Sequence, residues 1–375
     1  MTILDRYILN KFLVPFFCCF FGFIAIWFIF DLSDNLQDFI QGKAGLDVLL
    51  EYYGSQIPQI VVLCLPIGLL LALLYSLTAM SRANEIISMM GAGLSLTRII
   101  VPLIGVGLVL SAVTAYFNQE SAPHAAAIRK QMLSDIKRGK KRDFKIKGHL
   151  FRNREDMRTW YMNSFNVELG LLREVQIIQQ NANGDILKQW YASKGNYDPI
   201  LKRWTFTGCR YVEMSPEGEM IKSELRGTIV IDGWSETPWR ISSSVMNPDF
   251  LSVSELRDYL QFNSDFPEKR LGAYRTHLNF RWALPLVCLV VVFLAAPMGI
   301  VYSRRGILGG VATAIGLFFF LVFLSSLFIA LGKGSRIPPF LAAWGPLILF
   351  FGIGLFLLWY RSTNRDLPKF KLPGF

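Results

Sequence analysis

The sequence predicts a membrane α-helical bundle of six transmembrane helices, three plus three, with an inserted all-β, jelly-roll-like domain between the halves. Three observations predict it: six long apolar stretches, a polar interval rich in β-branched and aromatic residues, and an uneven spread of Lys and Arg among the short loops. The stretches run approximately Leu13–Leu32, Ile57–Met80, Ile99–Phe117, Trp282–Ser303, Ile307–Leu331 and Phe340–Tyr360. Each reaches the roughly 20 residues that a helix needs to cross about 30 Å of hydrocarbon. Of the 375 residues, 52% are hydrophobic and only 18% charged, an apolar excess that belongs to the spans. The first stretch is too long for a secretory signal. It is followed by Asp31-Leu32-Ser33-Asp34 rather than a small-residue cleavage pattern, so it is expected to remain as a helix.

Orientation follows from the short loops. Segments on the side of the N-terminus hold ten basic residues: Arg6, Lys11, Arg82, Arg98, Arg304, Arg305, Arg361, Arg365, Lys369 and Lys371. Those on the other side hold three, Lys43, Lys333 and Arg336. Both termini are therefore expected in the cytoplasm, with the inserted domain outside.

In chain order, Met1–Phe12 reads as an amphipathic entry with Tyr7 at the interface. Pro58, Pro66, Pro102, Pro285, Pro297 and Pro346 fall within spans, where packed neighbours repair the lost backbone bonds. Gly107-x-x-x-Ser111, Gly310-x-x-x-Ala314 and Ala312-x-x-x-Gly316 have the small-residue spacing of closely packed helices. A helical connector, Asn118–Lys137, leads to a basic run over Lys137–Lys147. Glu174–Gln180, Trp204–Thr207 and Gly227–Asp232 then read as strands, punctuated by turns at Asn183-Gly184, Asp198-Pro199, Pro216–Gly218 and Asp232-Gly233. A sandwich, a jelly roll or a curved open sheet would each satisfy that pattern. Ser252–Asn263 reads as a helix opened by a capping box, with Ser252 three residues before Glu255. The expected domains are 1–117, 118–275 and 276–375, with an interhelical docking segment near 81–93.

Several classes of chemistry are excluded. Apart from Asp31 the spans contain no Asp, Glu, Lys, Arg or His, which argues against a self-sufficient ion-coupled carrier. Gly42-Lys43, Gly139-Lys140 and Gly332-Lys333 are each followed by the wrong residue for a phosphate-binding loop. No GxSxG pattern and no C-x-x-C spacing occur, and His124, His149 and His277 are the only histidines. Cys18, Cys19, Cys64 and Cys288 lie in spans, leaving Cys209 alone in the inserted domain. An enzyme or a metal centre is not expected, and any energy must come from another subunit.

The most informative short segment is Ser81–Arg98, SRANEIISMMGAGLSLTR. Arg82, Glu85 and Met89 fall at i, i+3 and i+7, one face of a continuous helix. A charged pair followed by Ile86, Ile87, Met89 and Met90, then Gly91-Ala92-Gly93, makes a small docking surface, since Met adapts to partner grooves.

Three groups of residues carry a family resemblance: Leu4-Asp5-Arg6-Tyr7-Ile8, Arg82–Gly93, and Arg281-Trp-Ala-Leu-Pro285-Leu continuing to Ala296-Pro297-Met298-Gly299. With the three-plus-three spans around a β domain, the whole chain resembles the permeases of the lipopolysaccharide-export ABC transporter, the LptF/LptG type (YjgP/YjgQ). The resemblance implies a non-catalytic subunit of the bacterial inner membrane, with no cofactor of its own and ATP and Mg on a partner. The implied partners are a cytoplasmic ABC ATPase dimer of LptB type, a second six-span permease, periplasmic bridge components of LptC/LptA type, and lipopolysaccharide. Nucleic acid has no place in it. It also implies that Arg82, Glu85, Ile86, Met89, Met90 and Gly91 form the coupling helix that meets the ATPase. The family tends to place basic residues near the outer end of the first span. Here that region carries Asp31, Asp34 and Asp38 with Lys43 alone, so lipid phosphate contact falls to Lys43, to Lys137, Arg138, Lys140 and Lys141, or to the partner permease. Two alternatives stand beside this reading: a permease for another glycolipid or a lipoprotein, and a membrane-anchored periplasmic scaffold or assembly factor.

Overall fold

The computed structural model describes residues 3–138, 145–153, 155–166, 170–181, 183–215, 218–243, 247–264, 266–300 and 307–363. In order, the elements are α1 (Ile3–Gln41), α2 (Leu46–Arg82), α3 (Glu85–Gly91), α4 (Leu96–Tyr116), a π-helical turn at Phe117–Ser121 and α5 (Ala122–Arg138). Six strands follow: β1 (Lys145–Asn153), β2 (Arg158–Asn166), β3 (Leu171–Gln180), β4 (Ile186–Asp198), β5 (Arg203–Met214) and β6 (Met220–Asp232). The chain closes with α6 (Pro238–Ser243), α7 (Val253–Phe262), α8 (Glu268–Ala283), α9 (Val287–Gly299), α10 (Ile307–Lys333) and α11 (Pro339–Ser362). Two compact units result, Met1–Arg138 with Pro248–Leu260 and Pro267–Phe375, and Gly139–Asn247 with Gln261–Phe266. The connectors α5 and most of α7, grouped with the β domain when the sequence was divided at 118 and 275, belong by their contacts to the helical unit.

Among the described residues, six helical stretches are long and apolar enough to cross a membrane: Ile3–Gln41, Leu46–Arg82, Leu96–Lys130, Glu268–Gly299, Gly309–Lys333 and Pro339–Ser362. They coincide with the six predicted spans and overrun most of them. α1 has 39 residues, about 58 Å at 1.5 Å per residue, nearly twice the thickness of the hydrocarbon. Pro58 and Pro66 sit inside a continuous α2. Pro285 behaves differently: the helix gives way there to a 3₁₀ turn, Leu284–Leu286, between α8 and α9.

The bundle is organised around α2 and the α8–α9 pair, whose apolar windows are each 67% buried, against 11% for α1 and 17% for α10. Leu69, Leu73 and Leu77 of α2 meet Val291, Val292, Ala295 and Ala296 of α9 in one core, which Ile8 and Phe12 of α1 and Ile99 and Leu103 of α4 complete. Gly107 explains how α4 comes so close to α9: a Cβ there would sit 2.7 Å from Val292 Cγ2.

In the second unit the six strands form one antiparallel sheet in the order β1-β2-β3-β4-β5-β6. This is a meander, so of the arrangements the strand pattern allowed the open curved sheet is the one observed. β2 and β5 are three strands apart, about 14 Å in a flat sheet. Yet the rings of Trp160 on β2 and Trp204 on β5 have centroids 5.3 Å apart. The sheet therefore bends until its own inner face packs against itself. Trp160, Trp190, Trp204, Phe206 and Ile241 fill the interior, with Trp234 edge-on to Trp160 and Trp190 at 5.3 Å. Below these rings Glu236, wholly buried, receives Arg158 Nε at 2.7 Å and Nη2 at 3.0 Å, and Asn153 Nδ2 at 2.9 Å.

The bend has a local cause. Reading across the ladder, one residue per strand drops out of pairing at the same level: Gly148, Asn163, Glu174, Ser193, Gly208 and Gly227. On alternate strands that residue is left-handed, with φ of 60° at Gly148, 51° at Glu174 and 64° at Gly208. The inward-facing series changes parity there, from Trp160 and Met162 to Phe165 on β2 and from Leu172 to Val175 and Ile177 on β3. A crease runs across the whole sheet.

Candidate functional site

At the end of the bundle that holds the N-terminus, the segment Arg82–Arg98 forms a helical hairpin. The helix breaks at Ala83 and Asn84, with Asn84 in the left-handed region at φ 59°. Asn tolerates that conformation because its short polar side chain bonds locally. α2 therefore ends at Arg82, and α3 begins at Glu85. The single face expected for Arg82, Glu85 and Met89 is corrected here, because the helix on which that spacing relied is broken between the first two. Ser95 caps α4, accepting the Arg98 amide at 3.3 Å.

Side chains of α3 divide by direction. Ile86 is 1% exposed and belongs to the bundle core, while Met89 and Met90 are half-buried against it. Arg82, Ile87, Ser88 and Gly91 are exposed. Glu85 is half-buried and faces α1, with Oε1 3.6 Å from Lys11 Nζ. A second tie runs from Arg98 Nη2 to Oδ1 of the buried Asp5, at 3.0 Å. The hairpin is thus rooted by Ile86 and clamped on both sides to the first turns of α1. Asp5, Lys11 and Arg98 were missed as members of this site, although the Leu4–Ile8 motif had pointed at the right helix. At the same end Arg361, 4% exposed, donates from Nε at 3.1 Å and Nη2 at 2.5 Å to the carbonyl of Ile300. A guanidinium there satisfies an orphan acceptor and complements the helix dipole at the C-terminus of α9.

At the opposite end the turn that bears Lys43 packs beside the end of α5 that carries Lys137 and Arg138, since a Cβ at Gly42 would sit 2.6 Å from Ile136 Cγ2. Lys43 is exposed in the α1–α2 turn at φ 48°. Lys137 and Arg138 are the last residues of α5, and Lys140 and Lys141 lie outside the described residues. The acidic C-terminal end of α1 nevertheless has a cation. Arg129 of α5 reaches Asp31 Oδ1 at 2.5 Å, Tyr52 OH donates to Asp31 Oδ2 at 3.2 Å, and the guanidinium lies 5.6 Å from the Trp27 ring. Asp31 was visible in the sequence as the one charge inside a span, and such a charge calls for a partner; the partner lay too far along the chain to be recognised.

A second cluster surrounds Asp249. His277 Nε2 lies 2.8 Å and Lys333 Nζ 2.9 Å from its Oδ1, while Arg281 Nη2 donates to its carbonyl at 2.5 Å. The hydrogen bond from His277, joined by Lys333 and opposed by burial, holds the Asp249 carboxyl well below the usual carboxylate range. Arg281 also bonds Asn118 of the π-helical turn, Nη1 to Oδ1 at 3.1 Å, and receives Asn118 Nδ2 on its own carbonyl at 2.8 Å. The π turn aims Asn118 inward at the level where α8 carries its buried charge. Nearby the capping box forms as expected: Ser252 N donates to Glu255 Oε2 at 2.8 Å, and Glu255 N to Ser252 Oγ at 3.2 Å. Burial acts to raise the Glu255 carboxyl, but His124 and the Ser252 amide outweigh it and bring it down to about 2. Among the described residues no group of His, Cys, Asp and Glu is arranged to hold a metal.

Six helices long and apolar enough to cross a membrane, an exposed hairpin at one end and an inserted curled sheet are the build of a multi-pass membrane protein. The match to known proteins is specific. Residues 6–360 match the model of the Lipopolysaccharide export system permease LptF/LptG family, and the chain belongs to that family. Similar proteins include the Lipopolysaccharide export system permease protein LptG of Escherichia coli K12, 23% identical over 378 residues, covering 96% of this chain and 99% of the relative. LptG of Escherichia coli O6:H1, strain CFT073, is similar to the same extent.

Proposed function

We propose that this chain is a permease subunit of an ABC transporter that extracts lipopolysaccharide from the inner membrane and passes it to a periplasmic bridge. It works beside a second six-span permease, and ATP with Mg is hydrolysed on a separate cytoplasmic ATPase dimer. The termini and the hairpin face the cytoplasm, as the basic residues of the short loops favour, and the sheet lies in the periplasm. The sheet edges β1 and β6 each have one neighbour, so both offer backbone groups to an added strand from bridge components.

The observation that carries this reading is the hairpin. α3 turns Arg82, Ile87, Ser88 and Gly91 outward, while Ile86 and the Glu85–Lys11 and Asp5–Arg98 pairs tie its back to α1. A push on α3 is thereby delivered to α1, which packs along α2 and whose apolar window is only 11% buried. That poor burial also leaves α1 and α10 with apolar faces for lipid tails or for a second permease.

The test is purification from native membranes. The chain is expected to bring an ABC ATPase, a second permease and lipopolysaccharide. Arg82→Glu is expected to release the ATPase and stop export while the bundle stays folded; full ATPase stoichiometry in that variant would remove the docking assignment. Native mass spectrometry that finds another glycolipid or a lipoprotein in place of lipopolysaccharide would change the substrate and leave the machine.

A further inference from the structure

The crease that bends the sheet carries an anomaly. Its three left-handed positions fall on β1, β3 and β5, and two of them are occupied by glycine, Gly148 and Gly208. The third is Glu174, at φ 51°. A side chain there costs strain that glycine would avoid, and strain kept at a surface position signals a use for the side chain. Glu174 is also held in place, accepting Asn163 Nδ2 at 2.9 Å.

Around it, on the face turned away from the aromatic interior, lies a groove of about 360 Å³. Tyr161 and Tyr191, 47% and 39% exposed, are among its lining residues, as are Gln176, Ser193 and Arg210. The Tyr191 ring is fixed by its hydroxyl, which accepts Gln176 Nε2 at 3.1 Å and donates to Gln189 Oε1 at 2.9 Å. The glycine at 208 opens the floor, since a Cβ there would sit 2.4 Å from Ser193 Oγ.

We infer that this groove binds a sugar, namely the oligosaccharide portion of a glycolipid. Exposed tyrosine faces suit the C–H face of a pyranose ring. A fixed carboxylate accepts from hydroxyls, while an amide and a guanidinium donate to them. The groove falls within the size range of small-ligand sites, and its wall mixes one acidic with one basic group, which favours a neutral polyhydroxylated ligand over an anion or a metal cation. That the sugar belongs to a glycolipid rests on the proposed function; the groove itself does not require it.

The experiment uses the full chain in lipid nanodiscs. The probe is a neutral, phosphate-free hexose oligosaccharide, followed by saturation-transfer NMR and calorimetry. Wild type is expected to bind it. Glu174→Gly is expected to weaken binding by about tenfold or more, the loss of a charge-assisted hydrogen bond, while raising the unfolding temperature because the strain is gone. Tyr161→Ala is expected to weaken binding with the fold intact. The inference is overturned if wild type does not bind the oligosaccharide, if Glu174→Gly binds it equally well, or if that variant melts earlier than wild type. Failure here with the ATPase still associated removes the sugar site alone. An oligosaccharide that binds to a chain with no ATPase partner removes the transporter reading instead.

Discussion

The two units of the molecule bury acidic side chains in different company. In the sheet, Glu236 is wholly enclosed and Arg158 grips it with two nitrogens, itself stacked 4.7 Å from the Trp234 ring. In the helical unit, Asp31 is equally secluded, its side chain 3% exposed, but the Arg129 side chain that neutralises it is 34% exposed. The first arrangement is sealed on both sides; the second keeps one partner in reach of solvent. A sealed pair holds its geometry because opening it strands two charges, whereas a half-open pair strands one. The sheet interior is therefore expected to be rigid, and the α1–α5 clasp to be the softer joint.

The largest expected effect tests the sealed pair. Glu236→Ala leaves the buried Arg158 with Asp156 as its remaining carboxylate and should cost about 3 kcal/mol. Hydrogen exchange at β2 and β5 amides reads this, and near-native protection there would show that the aromatic interior holds the curl unaided. Next comes the asymmetry of the clasp. Arg129→Gln should destabilise the helical unit by about 2 kcal/mol, and Asp31→Asn by less, since only the first leaves a secluded charge unpaired. Equal effects in thermal unfolding would mean that both ends are hydrated alike.

The smallest effect concerns the capping box. Glu255 is depressed in the folded state, so its contribution is fully present above the unfolded carboxylate range near 4.3 and is lost as pH falls through about 2. Stability owed to this group should be flat from about pH 6 to 5 and fall in acid. It should also diminish at higher pH as His124, whose pKa the contact with Glu255 raises above 6.5, loses its proton. Glu255→Gln should cost about 1 kcal/mol at neutral pH and flatten the acid limb of the curve.

What the sequence disclosed follows the same division. The six spans were legible because a long run of Leu, Phe, Val and Ile has one stable outcome in lipid, whatever its neighbours do. The capping box at Ser252 and Glu255 was legible because it is local. Asn84 was passed over because nothing nearby announces a left-handed residue inside a helical pattern. Arg129 was missed because it lies 98 residues from Asp31. Individual strands were found, and a curved open sheet was among the arrangements they allowed, but the origin of the curl was not visible. Its cause is a change of parity within each strand, and a pattern of period two that switches phase halfway reads as a weaker strand rather than as a bend.

That change of parity constrains how the sheet can vary. The six unpaired positions lie opposite one another, and the register sums on either side of them agree. The feature behaves like a dislocation in a lattice, which must run from one boundary to the other. Removing one residue from an inner strand at that level would leave both neighbours out of step. Insertions and deletions should therefore be confined to the hairpin ends, and any change at the fold line has to be made in all strands together.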